Sequence, residues 1–208
     1  MGVDLVVLDI GNVLLNWDPK GFYERTMGRV AQVRLFNEVP LEEMNLSIDR
    51  GAPWAETVEE TARKYARWGN DIRSWHTHWD KMAAPLMDDS VDLMRALRAN
   101  GMPVWALTNF GKETFAYAQT LYPALTEFDG TVVSGHLGIL KPEPGIYETL
   151  ETRTGVAPSR ILFTDDRADN IAAAEARGWQ VHHFTDTRGW AQRLVAEGLL
   201  DPSDARAA

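Results

Sequence analysis

The feature that most constrains this chain is a short apolar run, rich in β-branched residues, that recurs along its length. Leu5-Val-Val-Leu-Asp-Ile10 is the first, ending beside a Gly-Asn pair; Pro103-Val-Trp-Ala-Leu107, Gly130-Thr-Val-Val133 and Arg160-Ile-Leu-Phe-Thr164 follow, with a weaker run at Gln180-Val-His-His-Phe184. Continuous apolar runs of this length, without polar alternation, predict strands buried on both faces. Helical spacing fills the intervals at 88–100, where Leu93, Met94 and Leu97 share a face, and at 111–121, 143–153, 168–177 and 187–198. Strand alternating with helix predicts an α/β fold built on a doubly wound parallel sheet. In such sheets ligands bind beyond the carboxyl ends of the strands, so the residues that follow each run are the first candidates for chemistry.

One stretch breaks the alternation. Residues 19–84 are polar and helix-forming, carry Trp54, Trp68, Trp75 and Trp79, and contain no convincing strand. With 208 residues the chain can hold a core domain and an insertion, so an inserted helical subdomain is expected there, leaving a core of 1–18 and 85–200. Pro19, Gly21 and Pro85 punctuate its edges. The last residues, 201–208, are expected to fray. Eight tryptophans are many for this length and need either packing partners or a pocket, with cap packing the ordinary reading and Trp17 the best candidate for a ligand contact. A formal charge of −9 argues against nucleic-acid or anionic-membrane partners, which select for clustered Lys and Arg. Zero cysteines excludes disulfides, thiolate metal sites and thiol catalysis. No signal-peptide pattern or run of membrane-spanning length is present, so a cytoplasmic protein, monomer or homodimer, is expected.

Four separated pieces fall at or just after predicted strands. They are Val6-Val-Leu-Asp-Ile-Gly-Asn-Val-Leu14, Leu107-Thr-Asn109, Lys141-Pro-Glu-Pro-Gly-Ile-Tyr147 and Phe163-Thr-Asp-Asp-Arg-Ala-Asp-Asn170. Taken singly each has a structural reading: Asp9 as a turn or helix cap, Thr-Asn and Lys-Pro as loop dipeptides, Asp165-Asp166 as the cap of a helix near Ala168. Together, and in this order, they resemble the four motifs of the haloacid dehalogenase-like superfamily over nearly the whole chain.

The resemblance implies a Rossmann-like core with a helical cap and a Mg²⁺-dependent phosphatase. Asp9 would be the nucleophile that forms an aspartyl-phosphate. Thr108, Asn109, Lys141 and Asn12 would contact phosphate, and Lys141 would also set a positive charge against Asp9. Mg²⁺ would lie on Asp9, the Gly11 carbonyl and Asp166, with Asp165 in an outer role and Asn170 orienting Asp166 or a metal-bound water. Phosphatases of this superfamily usually carry an acid two residues after the nucleophile, where this chain has Gly11. That departure, Asp-Ile-Gly-Asn-Val-Leu, resembles a branch that includes bacterial α-D-glucose-1-phosphate phosphatase; the phosphatase domain of epoxide hydrolases is also similar. A small phosphorylated metabolite, with a sugar phosphate favoured, is therefore the expected substrate. Asp18, His76 or His78 are candidate substitute acids, and Lys20 and Lys112 candidate anion contacts. Two alternatives stay open: a metal-independent 2-haloacid dehalogenase, and a weakly active phosphate-ligand-binding protein that lacks the acid.

Overall fold

The computed structural model describes residues 2–207; Met1 and Ala208, which end the expected N-terminal segment and tail, lie outside the described residues. Five strands, β1 (Leu5–Leu8), β4 (Val104–Thr108), β5 (Gly130–Val133), β6 (Ile161–Asp165) and β7 (Gln180–His183), form one sheet in the order β5-β4-β1-β6-β7. Every pairing in it is parallel. The predicted runs were right in number and place, with β4 and β6 displaced by one residue toward their polar ends.

β1 lies in the centre because it can be covered on both faces. All four of its residues are at most 1% exposed. Their side chains alternate between faces: Val6 and Leu8 belong to one apolar cluster with Leu93, Met94, Leu97, Trp190 and Leu194. Leu5 and Val7 belong to a second, with Ile146, Tyr147, Leu150 and Trp179. Each buried aliphatic side chain stabilises the fold by roughly 1.5–3 kcal/mol. The helices that supply these covers are α7 (Asp88–Ala99) and α12 (Thr187–Ala196) on one face, with α10 (Pro144–Thr154) on the other. Helices α8 (Lys112–Leu121), α9 (Ser134–Leu137) and α11 (Ala168–Ala176) complete the wrapping.

Between β1 and α7 the chain runs through six helices: α1 (Pro19–Met27), α2 (Arg29–Glu38), α3 (Leu41–Asp49), α4 (Trp54–Lys64), α5 (Gly69–Thr77) and α6 (Trp79–Met82). The expectation of no strand in this stretch is corrected at its exit. Residues Ala83–Leu86 form β3, which pairs antiparallel with β2 (Leu15–Trp17), and Asn16 Nδ2 donates to the Ala84 carbonyl at 2.8 Å. The two segments are far apart in sequence, and Pro85 hides the second from a propensity reading although an isolated two-stranded ribbon tolerates it. The tail was also expected to fray. Within it Asp204–Ala207 makes one 3-10 turn beside α7 and α12, with Leu200 buried and Ala205 packed on the core.

Candidate active site

The sheet register builds the site. Leu8 pairs with Ala106 on one side and with Thr164 on the other, so one residue further Asp9 stands level with Leu107 and Asp165 at the carboxyl edge. Asp9 is 6% exposed and lines a cavity of about 620 Å³ that runs from this edge up to α2, α3, α5 and α6. Lys141 arrives from the loop before α10, its side chain fully buried. Its Nζ lies 2.9 Å from Asp9 Oδ1 and 2.6 Å from Asp165 Oδ2, and donates to the Leu107 carbonyl at 2.7 Å. Three acceptors for three ammonium protons leave the lysine satisfied and fixed. Burial works against its charge, but Asp165 and Asp9 overcome that and hold it cationic. Burial raises the Asp9 carboxyl well above the usual range, Lys141 opposes this, and the charges of Asp165 and Asp166 add to it. Asp9 Oδ1 also accepts from the Ile10 N–H at 2.7 Å, so Oδ2 is the oxygen left for chemistry.

The twin acids divide their work. Asp165 is fully buried and off the cavity wall; Lys141, the Arg167 N–H at 2.8 Å and both contacts from Asn170 Nδ2 at 3.0 Å occupy its oxygens. Asp166 is half-buried, lines the cavity, and is held by Asn12 Nδ2 at 3.0 Å. Carboxylate oxygens of Asp9, Asp165 and Asp166 lie within 4.8 Å of one another. Three carboxylates meet one ammonium here, a deficit of two positive charges in a poorly hydrated place. Hard oxygen donors with that deficit suit a divalent cation of the Mg²⁺ type. Asn170 Oδ1, buried without a hydrogen-bond partner, adds a spare acceptor beside it.

Asn170 orients Asp165 rather than Asp166. Asn109 lines the cavity, but its amide is spent on the backbone of Lys141, accepting from the Lys141 N–H at 2.7 Å and donating to its carbonyl at 3.0 Å; it sets the lysine in place. Thr108 is buried at the end of β4 and is not on the cavity wall. Asn12 adopts φ 54°, a left-handed conformation Asn tolerates. Its Oδ1 accepts from the Trp17 N–H at 2.9 Å while Nδ2 donates to Asp166, so it ties the β2 entrance to an acid. Gly11 lines the cavity. Asp18 caps α1 through the Gly21 N–H at 2.7 Å and pairs with Arg25. His76 packs on Trp54 and His78 on Phe22, and neither lines the cavity. Lys20 sits on the rim, paired with Glu42, while Lys112 is absent from the wall. Trp17 lines the cavity with Trp75 and Trp79. Sequence reading missed Asp49 at the end of α3, which faces the same void. It missed Ser134 as well, whose Oγ donates to the Asp49 carbonyl at 2.7 Å and accepts from the Phe110 N–H. Asp49 has no local signature, because it ends a helix of the insertion, whereas Ser134 directly follows the run Gly130–Val133, the signal that could have found it.

The family model for haloacid dehalogenase-like hydrolases matches residues 3–178. The chain belongs to that family. This hydrolase is 27% identical to Phosphatase MT3486 of Mycobacterium tuberculosis over 96% of its own length and 94% of the relative's. It is 30% identical to the sesquiterpene phosphatase astK of Aspergillus oryzae over 46% of its length, spanning about half (48%) of that relative. Among solved structures it is similar to the HAD family enzyme bt-2542 of Bacteroides thetaiotaomicron, with a TM-score of 0.73 at 20% identity over 93% of this chain and 99% of that one. At that identity the likeness carries the fold alone. Another structure of the same enzyme is a complex with magnesium and inorganic phosphate (TM-score 0.69, 19% identity, covering 88% of this chain and 95% of that one). Among the described residues no helix is long and apolar enough to cross a membrane.

Proposed function

We propose that this hydrolase is a phosphatase of small phosphorylated metabolites that works through an aspartyl-phosphate on Asp9. The observation that carries the reading is the Asp9–Lys141 pair, 2.9 Å apart, on the wall of a cavity large enough for a metabolite. Asp9 Oδ2 attacks phosphorus while Lys141, locked by Asp165 and the Leu107 carbonyl, keeps a positive charge beside the developing anion. Asp9, Asp166 and the Gly11 carbonyl would hold Mg²⁺, with Asp165 outside them, and when bound it would neutralise charge on the phosphoryl oxygens. Asn12 and Asn170 keep the two acids in place. In this reading residues 19–84 act as a cap over a core of 1–18 and 85–200.

A sugar phosphate is the favoured substrate: part-buried Trp17, backed by buried Trp75 and Trp79, offers an aromatic surface to a sugar ring, and Asn45 and Glu42 offer polar contacts. A phosphorylated isoprenoid is the second reading, supported by the same aromatic wall and by the activity in the name of the sesquiterpene relative. A metal-free dehalogenase gains nothing from three converging carboxylates, and a pure binding protein has no need of a buried lysine against a strand-end acid.

The test is a panel of sugar 1-phosphates, alkyl, aryl and prenyl phosphates, with 2-haloacids as controls, run with and without Mg²⁺. Phosphate release that needs Mg²⁺ is expected, and Asp9→Asn should lower it by on the order of 10⁴-fold or more with circular dichroism unchanged. Halide release without metal, or substantial turnover by Asp9→Asn, would sink the assignment.

A further inference from the structure

The position two residues after Asp9, where an acid could protonate the leaving group, is Gly11, and a Cβ built there meets nothing within 4 Å. The space is open and has no carboxyl of its own. Of the cap and stem acids on the cavity wall, Asp18 is consumed as the α1 cap and by Arg25, and Glu42 is exposed and paired with Lys20. Asp49 remains.

Its placement is rigid. Asp49 is the last residue of α3, and Ser134 Oγ holds its carbonyl at 2.7 Å. Arg50 pairs with Glu143 and donates to the Gly138 carbonyl at 3.3 Å. Gly51, at φ +103°, lies so close to Gly135 that a Cβ would stand 2.5 Å from its carbonyl oxygen. The side chain is directed as well. Trp75 Nε1 can only donate, and it donates to Asn45 Oδ1 at 3.2 Å, which fixes the amide so that Nδ2 donates to Asp49 Oδ2 at 2.8 Å. The Gly111 backbone N–H is the other donor to this carboxyl, and Asp49 lines the cavity that Asp9 also lines.

We propose that Asp49, which the end of α3 brings to the wall of the cavity that Asp9 lines, is the general acid and base of the phosphatase reaction, in the role that Gly11 leaves empty. The inference rests on the phosphatase reading above. In the first step the Asp9 oxygen bonds to phosphorus and the phosphorus–oxygen bond to the alcohol breaks. Its electron pair stays on the leaving oxygen, which takes the Asp49 proton and departs as the alcohol. In the second, the Asp49 carboxylate removes a proton from water as the water oxygen attacks phosphorus; the bond to Asp9 breaks and inorganic phosphate leaves with Asp9 restored. Burial pushes the Asp49 carboxyl up to about 8; the Gly111 backbone opposes this and the Asp9 charge adds to it, which keeps the acid protonated near neutrality.

The test compares parent and Asp49→Asn on an alkyl phosphate and on 2,4-dinitrophenyl phosphate, whose leaving group needs no proton. Asp49→Asn is expected to lose about 10²–10³-fold on the alkyl phosphate. On the dinitrophenyl ester it should give a rapid burst of one dinitrophenolate per protein and then slow turnover, with phosphate accumulating on Asp9. Adding Gly11→Asp should recover alkyl phosphate turnover. Equal losses in the burst and on the alkyl ester, or alkyl turnover within threefold of the parent, overturn the role of Asp49 while the phosphatase reading stands. A parent inactive on both esters with Mg²⁺ overturns both.

Discussion

Asp49 and Lys141 are both held by the surrounding fold, yet burial is overcome only at the lysine. Lys141 has two carboxylates to offset its desolvation, whereas Asp49 has only the Asn45 amide and the Gly111 backbone N–H, and the like charge of Asp9 works against it. Its carboxyl is raised to about 8, so between the ordinary carboxylate range and that value the folded state binds a proton that the unfolded chain has lost. Stability from this group is therefore complete in acid and declines as pH rises through about 8. Asp49→Asn should remove the decline: its melting temperature relative to the parent should climb between pH 5 and pH 8.5, and a constant difference in thermal melts would contradict the assignment of the shift to this residue. Residues of this kind are hard to read from sequence. Asp9 and Asp165 could be placed beforehand because strand ends in a parallel sheet must meet, and Lys141 because its motif resembles the family's third. The amides of Asn12 and Asn109 could not, since their partners depend on a left-handed turn and on the path of the backbone around Lys141.

At the level of the element, α3 matters for where it stops. Its apolar side packs in the cap through Leu41, Met44 and Ile48, but its last turn is bolted to the core by Ser134, Arg50 and Gly51. The Arg50–Glu143 pair is about half-exposed and is worth at most about 1 kcal/mol to stability. Arg50→Ala should consequently shift the melt little, while a loosened Asp49 lowers turnover by on the order of ten- to a hundredfold. Steady-state rates set beside melting curves check this; parallel losses in both would mean that the contact is merely structural. The strands and helices of the core were legible from their periods, whereas the β2–β3 ribbon was not. Its pairing joins residues on either side of the six helices, and Ala83, Ala84 and Pro85 carry no strand signal of their own.

For the whole molecule, net charge and the site point the same way. A chain of charge −9 concentrates three of its carboxylates at one sheet edge and leaves two of those charges uncompensated. Mg²⁺ should bind the folded state and not the unfolded chain, adding about 2.7 kcal/mol at a hundredfold excess over Kd, or about 5–10 °C in melting temperature. EDTA should reverse the gain and Asp166→Asn should abolish it, as differential scanning calorimetry can measure; a melt indifferent to Mg²⁺ would argue against a cation at this edge. The aromatic wall has a practical corollary. Trp17 stands 5.8 Å from Trp75 and 5.9 Å from Trp79, ring centre to ring centre, and all three border the void. Indole emission responds to polarity and to nearby quenchers, so the protein carries an intrinsic optical gauge of its own occupancy, and ligands can be titrated by fluorescence without any label.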